Sequence, residues 1–176
     1  NIGGIANITE IDIDFKIFSR DIGPGNCLID MWIRKNSNKF YDENGNMAEK
    51  GTTDKFIFDQ YLVNYYYSKI TSKRSLDTND FDVSFAKGLS LENGTATMTD
   101  LTSELLSKKI GNSDIFVCGG GRKNKSLMNQ LKNKIKNKLL LIDDLNIDGD
   151  FVESQAFAFL AIRSYLGVPI SFPSTT

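Results

Sequence analysis

A carboxylate followed by a rigid turn, Asp21-Ile22-Gly23-Pro24-Gly25-Asn26, is the segment of this chain best equipped for acid–base work. Two further glycine clusters stand with it, Asn1-Ile2-Gly3-Gly4-Ile5-Ala6-Asn7 and Cys118-Gly119-Gly120-Gly121. Each meets an apolar, strand-like run, where glycine lets the main chain approach a ligand closely and turn its N–H groups toward phosphate. Together they predict a phosphate-handling site with an acid or base beside it. The sequence contains no histidine, which removes Ser–His and Cys–His catalysis within the chain and every metal site that needs imidazole. A general base here is Asp or Glu, with Lys or Tyr behind them.

Plainer readings stand next to these. Gly3-Gly4 alone reads as a bulge or tight turn, and Asp21 as the side chain that orders its own loop. Glu153 opens a long apolar helix, where the helix dipole favours a carboxylate whatever its role. The triple glycine has a rival meaning: strand, glycines, helix, strand and then Asp143, about 20 residues on, is the layout of a dinucleotide-binding unit. That would make the protein a nicotinamide-dependent oxidoreductase, although Asn124 stands where the third glycine of the fingerprint belongs. Asp143, Asp144, Asp148 and Asp150 lack the register and terminal Glu of a calcium loop, so calcium is rejected.

The elements that position these groups follow from periodicity. Ile2 to Ile11 and Phe15 to Ile22 read as paired strands with a short reversal. Asn26 is placed to cap a helix over Cys27 to Lys35, followed by a polar loop from Asn36 to Thr52. Thr53 to Ser68 reads as a helix with Asp54 near its positive end, and Thr95 to Lys109 as another. Lys69 to Asn93 is mixed. Asp114 to Cys118 and Lys138 to Ile142 are short strands around a helix over Lys125 to Lys136. Phe151 to Leu166 is apolar around so much of its circumference that it is expected to pack deep in the domain. The order implies an α/β fold, a mixed sheet with parallel strands late in the chain, an antiparallel pair at its start and flanking helices.

Composition narrows the partners. The 176 residues suffice for one domain with a real core. A net charge of −1 gives no global field for nucleic acid or an anionic membrane, and Lys132, Lys134, Lys136 and Lys138 read as a solvated helix face. Trp32 and Tyr65-Tyr66-Tyr67 read as packing and surface aromatics. Cys27 and Cys118 stand far apart, outside zinc or disulfide spacings, which fits a reduced, cytoplasmic setting. No run approaches the roughly 20 apolar residues of a membrane span, and no signal peptide opens the chain. There is no initiator Met, so a longer protein is expected.

Taken in order, the motifs resemble those of the anhydro-N-acetylmuramic acid kinases. The stretches are NIGGIANIT (Asn1–Thr9), DIGPGNCLIDMW (Asp21–Trp32), SLENGTATMTDLT (Ser90–Thr102), CGGGRKNKSLM (Cys118–Met128) and GDFVESQAFAFLAIRSYLGVPISFP (Gly149–Pro173). The resemblance implies an actin/hexokinase-like (ribonuclease H-like) ATPase fold, of which residues 1–176 would be the C-terminal lobe. The N-terminal lobe, with its Gly-Thr-(Ser/Met)-rich first phosphate motif, has no counterpart here, and such a fragment would be inactive alone. Thr78 stands where the family usually has Arg, after Lys73-Arg74-Ser75-Leu76-Asp77.

The same resemblance implies ATP and Mg²⁺ as cofactors and an amino sugar as substrate, in cell-wall recycling, with a homodimer as a further expectation. It puts Asp21 in the role of general base for the water that opens the sugar's anhydro bridge. Gly3 and Gly4 would clamp the β- and γ-phosphates, and Gly119, Gly120, Gly121 and Asn124 would receive adenosine. Asn7, Gly23, Asn26 and Glu153 would face the sugar, and Glu153 would orient water or metal. A catalytically silent actin-like nucleotide or sugar sensor is the alternative from outside the enzymes.

Overall fold

The computed structural model describes residues 1–68, 70 and 75–171. Its first elements are β1 (Ile5–Ile11) and β2 (Ile17–Pro24), an antiparallel pair. The reversal between them is held by Asp12, whose Oδ1 accepts from the amides of Asp14 and Lys16, both at 2.9 Å. The ladder slips between Ala6 and Asn7: Ala6 faces Gly23 while Asn7 faces Asp21, so Ile22 is the extra residue of a bulge. A bulge re-aims side chains. Here Ile22 is buried in the core, while its neighbour Asp21 stays half-exposed.

The chain then enters α1 (Cys27–Asn36), which buries Leu28, Ile29, Trp32 and Ile33 on one face. The expected loop carries two short 3-10 turns, and α2 (Lys55–Tyr67) begins where Asp54 accepts from the Ile57 amide at 3.0 Å. Helix α3 (Leu91–Ser107) is the centre of the fold, packed against α1, α2, α4 and β2 and buried from Gly94 to Leu106 over most of its circumference. Its Thr95, Thr97 and Thr99 lie fully buried because each hydroxyl donates to the carbonyl four residues back. β3 (Ile115–Val117), α4 (Lys125–Lys134) and β4 (Leu139–Leu141) form a parallel crossover unit, and α5 (Val152–Tyr165) closes the described chain. The α/β expectation is met, as an antiparallel pair and a parallel pair with flanking helices.

Three expectations differ from what is observed. Helix α3 starts at Leu91 rather than Thr95, because Ser90 caps it and Gly94 is a packing residue, not a breaker. The Trp32 indole lies against Gly94 and its Nε1 donates to the Leu91 carbonyl at 3.0 Å. Helix α5 is not deep: none of its residues is buried, and Phe157, Phe159 and Ile162 are each more than half exposed. Its apolar surface is not covered by the described residues. Lys134 departs from its row of solvated lysines, bridging Asp100 at 2.8 Å and Glu104 at 3.0 Å between α4 and α3. Burial alone would raise the carboxyl of Asp100, yet the bond from Lys134 holds it below its ordinary range. The residues Lys73 and Arg74, and those from 172 to the end, lie outside the described residues. No helix among the described residues is long and apolar enough to cross a membrane.

Gly94→Ala tests the packing at the centre. Alanine favours a helix over glycine by about 1 kcal/mol, but a Cβ at Gly94 would lie 2.0 Å from Trp32 Cε2. The indole is locked by its hydrogen bond, so the clash decides the sign. A net loss of roughly 1–3 kcal/mol is expected in urea unfolding. A stabilised variant would show that Trp32 is free to move.

Candidate functional site

Residues Asn1 to Gly4 bring the three glycine clusters together. The carbonyl of Gly3 accepts from the Asn26 amide at 2.7 Å, and that of Gly4 from Gly25 at 2.9 Å and Cys27 at 3.1 Å. These amides open α1, so the helix start is satisfied by main chain rather than left for an anion. On the other side, Ile2 donates to the Cys118 carbonyl at 2.9 Å and accepts from Gly121 at 2.8 Å. Close approach explains the glycines: a Cβ on Gly25 would sit 2.2 Å from Gly3 O, and one on Gly121 2.2 Å from Ile2 Cγ2. Gly120 is different. Nothing lies within 4 Å of its would-be Cβ, so it presents open main chain.

Asp21 lies within β2, which runs on to Pro24, rather than at the end of the strand, and its Oδ2 accepts from the Leu76 amide at 2.8 Å. That bond orients the carboxylate. Gly23, two residues on, faces Ala6 across the ladder and packs near Leu106. Asn26 does not cap α1 with its side chain. It is itself helical, and its Nδ2 donates instead to Gly3 O at 3.2 Å, binding the first two clusters once more. Asn7 pairs through its main chain with Asn1: its amide donates to the Asn1 carbonyl at 3.1 Å, and the α-ammonium of Asn1 donates to the Asn7 carbonyl at 3.0 Å. Asn124 caps α4, its Oδ1 accepting from the Leu127 amide at 3.0 Å. Glu153 is exposed in the first turn of α5 and borders a different cavity from Asn26 and Asn124.

Sequence reasoning missed Arg122. Its side chain is only 6% exposed. It donates to both oxygens of Asp143, at 2.8 and 3.1 Å, to Asp150 at 2.7 Å and to the Gly119 carbonyl at 3.1 Å. The hydrogen bonds from Arg122 hold the Asp143 carboxyl down at about 2. One guanidinium thus ties the glycine loop to the acidic segment that precedes α5. Three of the acids that had no calcium register, Asp143, Asp148 and Asp150, are its counter-charges, and a signal was there in one Arg beside three glycines facing a run of Asp. This pairing also takes Asp143 out of the ribose role that a dinucleotide site asks of it.

The open face of Gly120 borders a polar cavity of about 440 Å³, walled by Asn26, Asp30, Tyr41, Asp42, Lys123 and Asn124 among others. Its carboxylates differ. Asp42 is buried and accepts from the Met47 and Ala48 amides at 2.8 and 3.0 Å. Burial pushes the Asp30 carboxyl up to about 6, with Arg34 opposing and Asp42 adding to the rise. Cys27, close by on α1, is inert, because burial pushes its thiol up to about 12.

The arrangement provides an oriented carboxylate and glycine-lined main chain around a polar cavity. Open backbone at Gly120 fits the close approach of a nucleotide. No group of three or more carboxylate or cysteine ligands for a divalent cation is found among the described residues. Magnesium is commonly held by one or two carboxylates and the substrate's own phosphates, so no chemical step is assigned here to a metal.

The family described as anhydro-N-acetylmuramic acid kinase matches residues 1–176. The chain is similar to the anhydro-N-acetylmuramic acid kinase of Pelagibacter ubique (strain HTCC1062), 46% identical over 191 residues that cover 100% of this chain and 50% of that protein. It is 38% identical to the kinase of that name from Zymomonas mobilis subsp. mobilis, over 182 residues, 100% of this chain and 50% of the relative. For the kinase of that name from Methylorubrum populi the identity is 36% over 181 residues, 100% of this chain and 48% of the relative. The chain spans about half the length of the curated relatives it matches.

Asp30 gives the cavity a pH signature. Its carboxyl stands at about 6 in the folded chain against an ordinary 3.8. The charged form is therefore disfavoured by folding, so Asp30 costs stability progressively as pH rises through that window and costs nothing below it. Asp30→Asn should be more stable than the parent by about 1–3 kcal/mol near neutral pH, and equal to it near pH 3. Urea unfolding at the two pH values checks this. A variant weaker than the parent at neutral pH would mean that the Arg34 pairing outweighs the desolvation.

Proposed function

Because the chain belongs to the anhydro-N-acetylmuramic acid kinase family, we propose that it is one lobe of an ATP-dependent, actin/hexokinase-like sugar kinase acting in peptidoglycan recycling. The protein takes 1,6-anhydro-N-acetylmuramic acid and ATP in the cytoplasm and makes N-acetylmuramic acid 6-phosphate and ADP. The match along all 176 residues is the observation that carries this, and the contact among the three glycine clusters beside Asp21 supports it. The remaining length of the relatives is the second lobe, with the first phosphate motif, so residues 1–176 alone are inactive. A homodimer is part of the proposal.

The chemistry begins at Asp21. With Oδ2 fixed by the Leu76 amide, its other oxygen takes a proton from a water on the face of C1 opposite O6. The water oxygen bonds to C1 as the C1–O6 bond breaks, the geometry of inverting glycoside hydrolysis. O6 leaves with the bonding pair and forms its bond to the γ-phosphorus, and ADP departs. Phosphoryl transfer asks chiefly for positioning and charge stabilisation. Gly3 and Gly4 lie at the phosphates, Gly119 to Gly121 and Asn124 along adenosine, with Gly120 as the face left open to it. Asn7, Gly23 and Asn26 shape the sugar side, and Glu153 completes it when the second lobe closes the cleft. Magnesium accompanies ATP, bound mainly through its phosphates.

The test uses the complete protein with Mg-ATP and 1,6-anhydro-N-acetylmuramic acid, and mass detection of the 6-phosphate. Product is expected from the parent. Asp21→Asn should lower turnover by at least ~10²-fold with ATP affinity nearly unchanged. Turnover within a few-fold of the parent would remove Asp21 from the mechanism, and ATP binding without product would favour a sensor. Gly120→Ala is expected to leave the melting temperature unchanged, since its Cβ meets nothing, while weakening ATP binding. Unchanged ATP affinity would move adenosine away from this loop.

A further inference from the structure

Gly119, Gly120 and Gly121 make a loop with no side chain of its own to hold its shape. Glycine moves more freely than any other residue, so such a loop is fixed only by what grips it from outside. Two grips are main chain: the Gly121 amide donates to the Ile2 carbonyl at 2.8 Å, and the Gly119 amide to the Gly149 carbonyl at 3.2 Å. The third is Arg122. Its amide and its Nη1 both reach the Gly119 carbonyl, at 3.2 and 3.1 Å. Nη1 also meets Asp150 at 2.7 Å, while Nε and Nη2 close on the two oxygens of Asp143, on the segment between β4 and α5. Burying a guanidinium costs free energy that a solvated loop avoids. What it provides is geometry, because a planar fork of donors fixes the angles among the groups it bonds.

Gly149 shows that the seat is shaped for this group. Its backbone lacks the positive φ that would ask for glycine. A Cβ there would stand 2.7 Å from the guanidinium carbon of Arg122, so room for that side chain is what the glycine supplies. Next to the gripped Gly119 carbonyl, Gly120 turns open main chain toward the polar cavity. We propose that Arg122 is a positioning residue for the nucleotide: by clasping the Gly119 carbonyl to Asp143 and Asp150, it holds the Gly120 main chain in the shape that adenosine meets. Arg122 acts through the loop, not on ATP. Affinity rises because the loop gives up its freedom in folding, before the ligand arrives. Removing the guanidinium also uncovers Asp143, Asp148 and Asp150, and their repulsion of an anionic ligand is separable because adenosine carries no charge. The ligand is the one assigned under the kinase reading, on which this role rests.

The test compares the complete protein with Arg122→Ala, Gly149→Ala and the double variant. Gly149→Ala keeps the charge and displaces only the flexible tip of Arg122. Binding of ATP and of adenosine is measured by calorimetry, and melting temperatures report folding. Each single variant should weaken both ligands by at least ~10-fold, the scale seen when an outer partner of a binding group is lost. The double variant should be no weaker than Arg122→Ala, because both changes break one clasp. In turnover, KM for ATP should rise by the same factor, with kcat and KM for the amino sugar within ~3-fold of the parent. Arg122→Lys, which keeps the charge and loses the fork, should restore only part of the loss. Weakened ATP binding with adenosine unaffected, reversed by salt, would overturn positioning in favour of charge screening. Parent-like binding in folded Arg122→Ala or Gly149→Ala would overturn it too, as would kcat and both KM values shifting together with a fall in melting temperature. A parent that itself fails to bind ATP would remove the kinase reading, and this role with it.

Discussion

The docking of Asn1 to Gly4 against both the Gly25–Cys27 turn and the Cys118–Gly121 loop is the contact on which the rest of the site depends. Five backbone hydrogen bonds would mean little on a surface, where water replaces each at small net cost. Here they hold three glycine segments at distances that no side chain could fill, because carbonyls lie where Cβ atoms would be. The helix start of α1 and the entry to α4 are positioned relative to one another through this short stretch. The bulge that follows it in the ladder buries Ile22 and leaves Asp21 half-exposed beside it. Geometry of the site is thus inherited from main-chain packing rather than from the functional side chains themselves.

Charge is used locally and for fastening. Arg122 is buried among carboxylates that are themselves largely exposed, so water relieves the acids while the guanidinium is paid for by four well-directed hydrogen bonds. Removing one partner of such a set costs more than the set contributes. Lys134 repeats the device between α3 and α4, with Asp100 and Glu104. Asp30 is the exception, a carboxyl held in a cavity where burial outweighs the nearby Arg34.

The outer surfaces carry the opposite message. Helix α5 and a slot between the two sheets show apolar groups that nothing among the described residues covers. An exposed face of that size marks a contact with something else. The chain spans about half the length of the curated relatives it matches.

Much of this was legible in the sequence for a simple reason: local signals report local forces. Strand alternation gave the antiparallel pair, Asp54 gave the start of α2, and the strand–helix–strand order gave the parallel unit, because each rests on neighbours a few residues apart. The glycine clusters and Asp21 were legible as chemistry for the same reason, and their family-wide order located a match that runs the whole chain. What only the tertiary structure decided involves partners distant in sequence. The start of α3 reads as Thr95 until Trp32, sixty-odd positions earlier, is laid against Gly94 within the helix. Asn26 reads as a cap until Gly3 offers it a carbonyl. Arg122 and Asp143 mean nothing to each other until β4 returns beside β3. The apolar circumference of α5 fixed that it must be covered, but which surface covers it depends on packing that no periodicity encodes.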